Sequence, residues 1–134
     1  MKNDGQRLNP SNRSCFVISP IGSPDSLERK QADEFLSLVK EVGELHGLEV
    51  QRADEIVGSN DINADVIERI QQSELCIIDL TGLNPNVMYE FGMRCQTNLP
   101  YIVCAKEGTK LPFDTVSRRT IFYEDISMTG EARR

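Results

Sequence analysis

Between Leu75 and Gln96 the chain reads LCIIDLTGLNPNVMYEFGMRCQ, and no other stretch limits its fold as strongly. Leu75, Cys76, Ile77 and Ile78 form a short apolar run that stops at Asp79. Such a run, bounded by turn chemistry, suits a strand covered on both faces. Thr81, Gly82, Asn84 and Pro85 supply the turn. Asn84 is placed to cap a helix, with Pro85 at its first position, where a missing N–H costs nothing. Met88, Phe91, Gly92 and Cys95 then recur at helical spacing. An acid at the C-terminal end of a buried strand, with Asn84, Asn86 and Glu90 just beyond it, is how an open α/β sheet presents a ligand site.

The rest of the chain repeats this strand-then-helix pattern. Cys15 to Ser19 is an apolar run broken at once by Pro20, Gly22, Ser23 and Pro24. A helix is expected from about Ser26 to His46, with Ala32, Phe35, Leu36, Val39 and Val42 on its apolar face, Ser26 as N-cap and Gly47 just past its end. Leu48 to Arg52 alternates apolar and polar residues, as a strand near a sheet edge does. After a loop over Ala53 to Asn60, a short helix is expected from about Asp61 to Gln72, with Ile62, Val66, Ile67 and Ile70 on one side. Tyr101 to Ala105 is a fourth strand, Leu111 to Asp114 a docking segment, and Thr120 to Tyr123 a short fifth strand. Residues 1–14 read as a flexible leader and 15–134 as a single domain.

Alternation of strands and helices with short connections predicts a parallel sheet with helices on both faces. The expected fold is a three-layer αβα sandwich, flavodoxin-like, with about five strands in the order 2-1-3-4-5. The loops after the first and third strands then meet where the strand order reverses, the usual ligand crevice.

Composition narrows the partners. A net charge of −6 argues against duplex DNA and anionic membranes, which need clustered Lys and Arg. No apolar run approaches the roughly 20 residues of a membrane span. Cys15, Cys76, Cys95 and Cys104 form no CxxC pair and there is one His, so no metal site is expected. Buried free thiols are the simplest reading, and they suggest a reducing cytoplasm.

Each candidate residue also has a structural role to set against a functional one. In the loop Ser19-Pro20-Ile21-Gly22-Ser23, Gly22 lets the backbone approach a phosphate or ribose beside a helix N-terminus, but any strand-to-helix loop needs such residues. Asp79 either faces a pocket or ties down the turn Leu80 to Gly82. At about 100° per residue, Glu90 lies roughly 140° from the centre of the Met88, Phe91, Gly92 and Cys95 stripe, so spacing puts it on a rim or in water. Asn84 and Asn86 serve capping and turn formation as well as ligand contact. Arg52, Ala53 and Asp54 lie at the end of the second strand. Arg29 with Asp33, and Asp114 with Arg118 or Arg119, are expected to form surface ion pairs.

The run from Asp79 to Gly92 resembles the DLTGxNPNVxYELG signature of bacterial nucleoside 2-deoxyribosyltransferase-like proteins, distant relatives of TIR-type domains. Cys15 to Gly22, Arg52-Ala53-Asp54, and Pro112-Phe113-Asp114 with Arg119 are similar to other parts of that family. The resemblance implies cleavage or transfer of an N-glycosidic bond on a nucleoside, a nucleotide or NAD. It assigns Glu90 as the nucleophile that attacks the anomeric carbon and Asp79 as the group that protonates or holds the leaving base. It places Ser19, Pro20, Ile21, Gly22, Ser23, Asp54, Thr81, Asn84 and Asn86 around the substrate, with no cofactor. Glu90 and Asp79 are then expected to face one crevice near Ser19 to Ser23. Two departures are visible. DLTG and NPNV stand where the better-studied transferases carry DG and DxGT, and no segment after Tyr123 matches the one a neighbouring subunit supplies. A homo-oligomer or a fusion to another domain is therefore expected. The alternative is a TIR-like nucleotide-sensing or protein-interaction module without turnover.

Overall fold

A computed structural model of the chain describes residues 13–57, 61–112 and 119–124. Strand β1 (Arg13–Ile18) leads to helix α1 (Leu27–Leu45), strand β2 (Leu48–Arg52), helix α2 (Ile62–Gln72) and strand β3 (Leu75–Asp79). Helix α3 (Pro85–Cys95), strand β4 (Tyr101–Lys106) and strand β5 (Ile121–Tyr123) follow. All neighbouring strands pair in parallel, in the order β2-β1-β3-β4-β5. This is the expected α/β topology, consistent with a flavodoxin-like sandwich. Arg13 and Ser14, read from the sequence as the end of a leader over residues 1–14, belong to β1 and pair with Leu48 and Glu49 of β2. Residues 1–12, the loop residues 58–60, the segment from Phe113 through Arg118 and the tail from residue 125 lie outside the described residues.

The sheet is covered on both faces. On one, Phe16, Ile18, Cys76, Ile78 and Val103 pack with Ile70 of α2 and Val87 and Phe91 of α3. On the other, Val17 packs with Phe35 and Leu36 of α1, joined by Val50, Ile77, Cys104 and Tyr123. Full burial of one such Phe or Ile stabilises the fold by about 1.5–3 kcal/mol. The interior strand β1 is therefore apolar on both sides, Cys15 to Ile18 all being buried.

Helix ends follow the local chemistry of the sequence. Ser26 Oγ accepts from the Arg29 N–H at 3.0 Å and caps α1. Asp61 accepts from the Ala64 N–H at 3.1 Å and caps α2. Asn84 Oδ1 accepts from the N–H groups of Asn86 (2.8 Å) and Val87 (3.2 Å), with Pro85 in the first turn of α3. Gly47 ends α1 at φ 74°, where a side chain would be strained.

Three helical faces differ from the expected ones. In α1, Val42 is exposed and Gly43 is buried instead, because a Cβ at Gly43 would stand 2.8 Å from Val50 Cγ2 of β2. In α2, Ile62 and Ile67 face out, and Ile70 is the residue fully buried. In α3 the buried residues are Val87, Phe91 and Arg94, while Gly92 and Cys95 are exposed. The fully buried Arg94 sets that face by donating from Nη1 to the Ile70 carbonyl (2.9 Å) and from Nη2 to the Pro100 carbonyl (2.8 Å). Of the cysteines, Cys15 and Cys76 are buried free thiols, their pKa values pushed by burial to about 12 and about 11; Cys95 corrects the expectation of a buried set. No described helix is long and apolar enough to cross a membrane.

Candidate functional site

The loops after β1, β2 and β3 enclose a cavity of about 230 Å³ at the C-terminal edge of the sheet. Ser19, Pro20, Ile21 and Gly22 form one wall, Arg52 and Ala53 a second, and Asn84, Asn86, Val87 and Glu90 a third. The topology dictates this place, since β1 and β3 are neighbours whose connections leave on opposite faces.

Glu90 reaches the cavity because the buried face of α3 is not the one that apolar spacing suggests. Taking Val87, Phe91 and Arg94 as the centre, Glu90 lies only about 70° away at 100° per residue. Its side chain is half-buried. Burial alone pushes its pKa above the ordinary value, and no hydrogen bond or ion pair holds the carboxylate among the described residues.

Asp79 is placed differently. It is 4% exposed. Oδ1 accepts from the Thr81 N–H (3.1 Å) and the Thr81 hydroxyl (2.6 Å), and Oδ2 accepts from the Tyr123 hydroxyl (2.8 Å). Thr81 Oγ1 in turn accepts from the Lys106 N–H at 2.8 Å. Burial raises the Asp79 pKa more than these bonds lower it. Asp79 shares strand parity with Ile77, on the α1 face, where the Tyr123 ring lies 5.5 Å from that of Phe35. It is not among the described residues that line the Glu90 cavity, so the expectation that the two acids share one crevice is not met, and the reading in which both carboxylates act on one substrate fails with it.

The remaining candidates divide in the same way. Ser19, Pro20, Ile21, Gly22, Asn84 and Asn86 surround the cavity with Glu90. Ser23, Asp54 and Thr81 do not. The Ser23 carbonyl accepts from the Ser26 hydroxyl at 2.8 Å, and Thr81 is held by Asp79. Gly22 sits at φ 75°, and a Cβ there would come within 2.9 Å of Ser26 Oγ, so the start of α1 already requires the glycine. Asp54 is bound through both carboxylate oxygens by Arg52, at 2.6 Å from Nε and 2.9 Å from Nη2, and by Arg29 Nη2 at 3.2 Å. Arg52 Nη2 also reaches Asp33 at 2.7 Å, and the expected Arg29–Asp33 pair is present at 3.2 Å. Hydrogen bonds from Arg52 hold the Asp33 and Asp54 carboxyls below their usual range. Asp114 and Arg118 lie outside the described residues.

Arg52 is the cavity residue that reading the sequence for surface ion pairs missed. Its side chain is 3% exposed. The signal was present in LEVQR, where Leu48, Val50 and Arg52 share a face by alternation. No described cluster of His, Cys, Asp and Glu could hold a metal ion.

No protein-family model matches the chain, and no curated protein does. Among solved structures, a 2-desoxiribosyltransferase from Leishmania mexicana is similar at 12% identity and TM-score 0.52, over 69% of this chain and 64% of that one. A structure titled for a GCN5-related glucosamine N-acetyltransferase region in a fungal multi-domain GH3 beta-N-acetylglucosaminidase is similar at 15% identity and TM-score 0.53, over 96% of this chain and 14% of that one. The chain thus spans less than two thirds of either structure. At these identities the likeness shows a distant relationship of fold, not membership of a family.

Proposed function

We propose that the cavity binds a nucleoside-type N-glycoside and that Glu90 attacks its anomeric carbon. The observation that carries this reading is Glu90 itself: a half-buried carboxylate without a partner among the described residues, on the wall of a cavity at the strand reversal. Partly stripping a carboxylate of water without pairing it costs stability, and perturbed acids of this kind cluster at functional sites. The fold shared with a 2-desoxiribosyltransferase makes glycosyl transfer the chemistry to test first. In the first step a Glu90 oxygen forms a bond to the sugar's anomeric carbon. The glycosidic C–N bond breaks and its electron pair leaves with the base. An acceptor base or water then displaces Glu90. Asn84 Oδ1 is committed to capping α3, so in this reading Asn84 holds the helix that carries Glu90. Asp79 anchors the turn beneath it.

A second reading, a TIR-like nucleotide-binding module without turnover, is favoured by one observation. Among the described residues Glu90 is the only acid on the cavity wall, whereas the two-carboxylate mechanism uses a pair. Incubating the protein with deoxynucleosides, nucleoside monophosphates and NAD, and following base release by chromatography, separates the two. Release that falls about 10²-fold or more in Glu90→Gln supports the enzyme. A ligand-induced rise in melting temperature without release supports the module. Neither effect with any substrate overturns both.

A further inference from the structure

Two residues that line the Glu90 cavity carry a buried donor without a partner. Ser19 Oγ and Arg52 Nη1 are both fully buried, and neither has a hydrogen-bond partner among the described residues. Ser19 is 7% exposed and Arg52 3%. Val17 pairs with Arg52 in the parallel register, so Ser19 lies two residues beyond that pair and on the same face. Every other guanidinium nitrogen of Arg52 is committed. Nε and Nη2 grip Asp54, and Nη2 also holds Asp33. The guanidinium is thus fixed in plane, with the N–H groups of Nη1 unassigned. A buried donor without an acceptor is rare in a folded protein and calls for an explanation at each occurrence. Here two occur together on one cavity.

The charge around them limits what they would accept. Arg29 and Arg52 are balanced by Asp33 and Asp54, which form one connected network of formal charge zero. Glu90 adds a carboxylate to the same cavity. A phosphate placed here would gain no net cation and would face Glu90. An uncharged hydroxyl fits better, since its oxygen accepts from Arg52 Nη1 while its proton goes to Ser19 Oγ, or the Ser19 hydroxyl donates to it.

We propose that Arg52 Nη1 and Ser19 Oγ together bind a sugar hydroxyl of the ligand, so that the crevice recognises the ribosyl unit of a nucleoside through this pair and leaves any phosphate outside it. The proposal rests on the reading that the cavity takes a nucleoside-type ligand. If Glu90 is to reach the anomeric carbon, the sugar must lie beside it, and the sugar's hydroxyls then meet the neighbouring walls.

The test is calorimetric titration of the full chain carrying Glu90→Gln, which prevents turnover. The probes are adenosine and uridine, their 2′-, 3′- and 5′-deoxy analogues, and their 5′-monophosphates. One deoxy analogue is expected to bind about tenfold more weakly than its parent, the loss typical of a buried hydrogen bond left unmade. Adding Ser19→Ala or Arg52→Lys should shrink that difference below about threefold, the signature of a direct pairwise interaction. If Arg52→Lys does not fold, Ser19→Ala decides, since it removes only an unpartnered hydroxyl. The proposal is overturned by equal binding of all sugars, by a hydroxyl preference that survives Ser19→Ala, by monophosphates that bind more tightly than nucleosides through Arg52, or by no binding. Base release without hydroxyl discrimination would overturn this pairing and keep the enzyme. Discrimination without release would keep the pairing and overturn turnover.

Discussion

Tyr123 and Asp79, 44 positions apart, are joined by a 2.8 Å hydrogen bond from the Tyr123 hydroxyl to Asp79 Oδ2. Through it the last described strand is fastened to the turn that precedes α3. A hydrogen bond to a carboxylate in so buried a place contributes about 1.5–3 kcal/mol. Because burial holds the Asp79 pKa up, the lower part of that range is expected for Tyr123→Phe, measured by urea unfolding. Asp79→Asn should likewise lower the unfolding midpoint. If Asp79→Asn instead abolished base release with an unchanged midpoint, Asp79 would belong at the reaction centre and not in the scaffold.

The strand order was legible because each buried strand is an apolar run closed by turn chemistry. The caps Ser26 and Asn84 were legible because their side chains act within three residues. What depended on distant partners was not. Arg94 is charged, so counting apolar positions left it out, and without it the face of α3 was drawn through Gly92 and Cys95. That rotated Glu90 away from the crevice it lines. Asp79 could be read as buried, but not as facing α1, because its hydroxyl partner comes from the far end of the chain. That the loops after β1 and β3 meet is legible in the topology, whereas only the resemblance set Glu90 beside Ser19 and Gly22, with which it lines the cavity. Arg52 is placed by the sequence reading only at the end of the second strand, although the alternation in LEVQR sets it on the face of Leu48 and Val50.

Arg94 itself gives a second prediction. Its two donors satisfy the carbonyls of Ile70, on α2, and Pro100, ahead of β4. Arg94→Met would relieve the burial of a cation but strand both carbonyls, each worth about 1–3 kcal/mol when buried and unpaired. The carbonyl loss dominates, and a net destabilisation of about 1–3 kcal/mol is expected from denaturant unfolding. Arg94→Lys, with one compact ammonium in place of a fork, should fall between the two. A methionine variant as stable as the parent would mean that the carbonyls find other donors.

Gly43 and Gly92 are both helical glycines, yet their alanine variants should move in opposite directions. Alanine is favoured over glycine in a helix interior by about 1 kcal/mol. At Gly92 nothing lies within 4 Å of an added Cβ, so Gly92→Ala should stabilise by about 0.5–1 kcal/mol. At Gly43 the new Cβ would stand 2.8 Å from Val50 Cγ2, a stiff β-branched side chain on β2. Overpacking of that kind costs about 1–3 kcal/mol and outweighs the helical gain. Thermal melts of the two variants should therefore bracket the parent, and a Gly43→Ala melt above the parent would show that β2 yields.

The unpartnered Glu90 carboxylate predicts a pH-dependent stability that its amide variant lacks. Burial raises the folded pKa of Glu90 above its ordinary value of 4.5. A carboxyl raised on folding contributes stability that is fully present below the unfolded pKa and is lost as pH rises through the folded one. Asp33 and Asp54 work in the other direction: their lowered pKa values stabilise above the ordinary range, and that contribution is lost as pH falls. Both aspartates are retained in Glu90→Gln, so they cancel when the variant is compared with the parent. Near pH 4 a protonated Glu90 resembles glutamine and the two proteins should unfold together. Toward pH 7 the parent pays for a desolvated charge and Glu90→Gln should become the more stable protein. Urea unfolding of both across this range tests the sign. A difference that stays flat, or that favours the parent at pH 7, would mean that the carboxylate has a stabilising partner, and Glu90 would then lose its standing as the residue kept for a ligand.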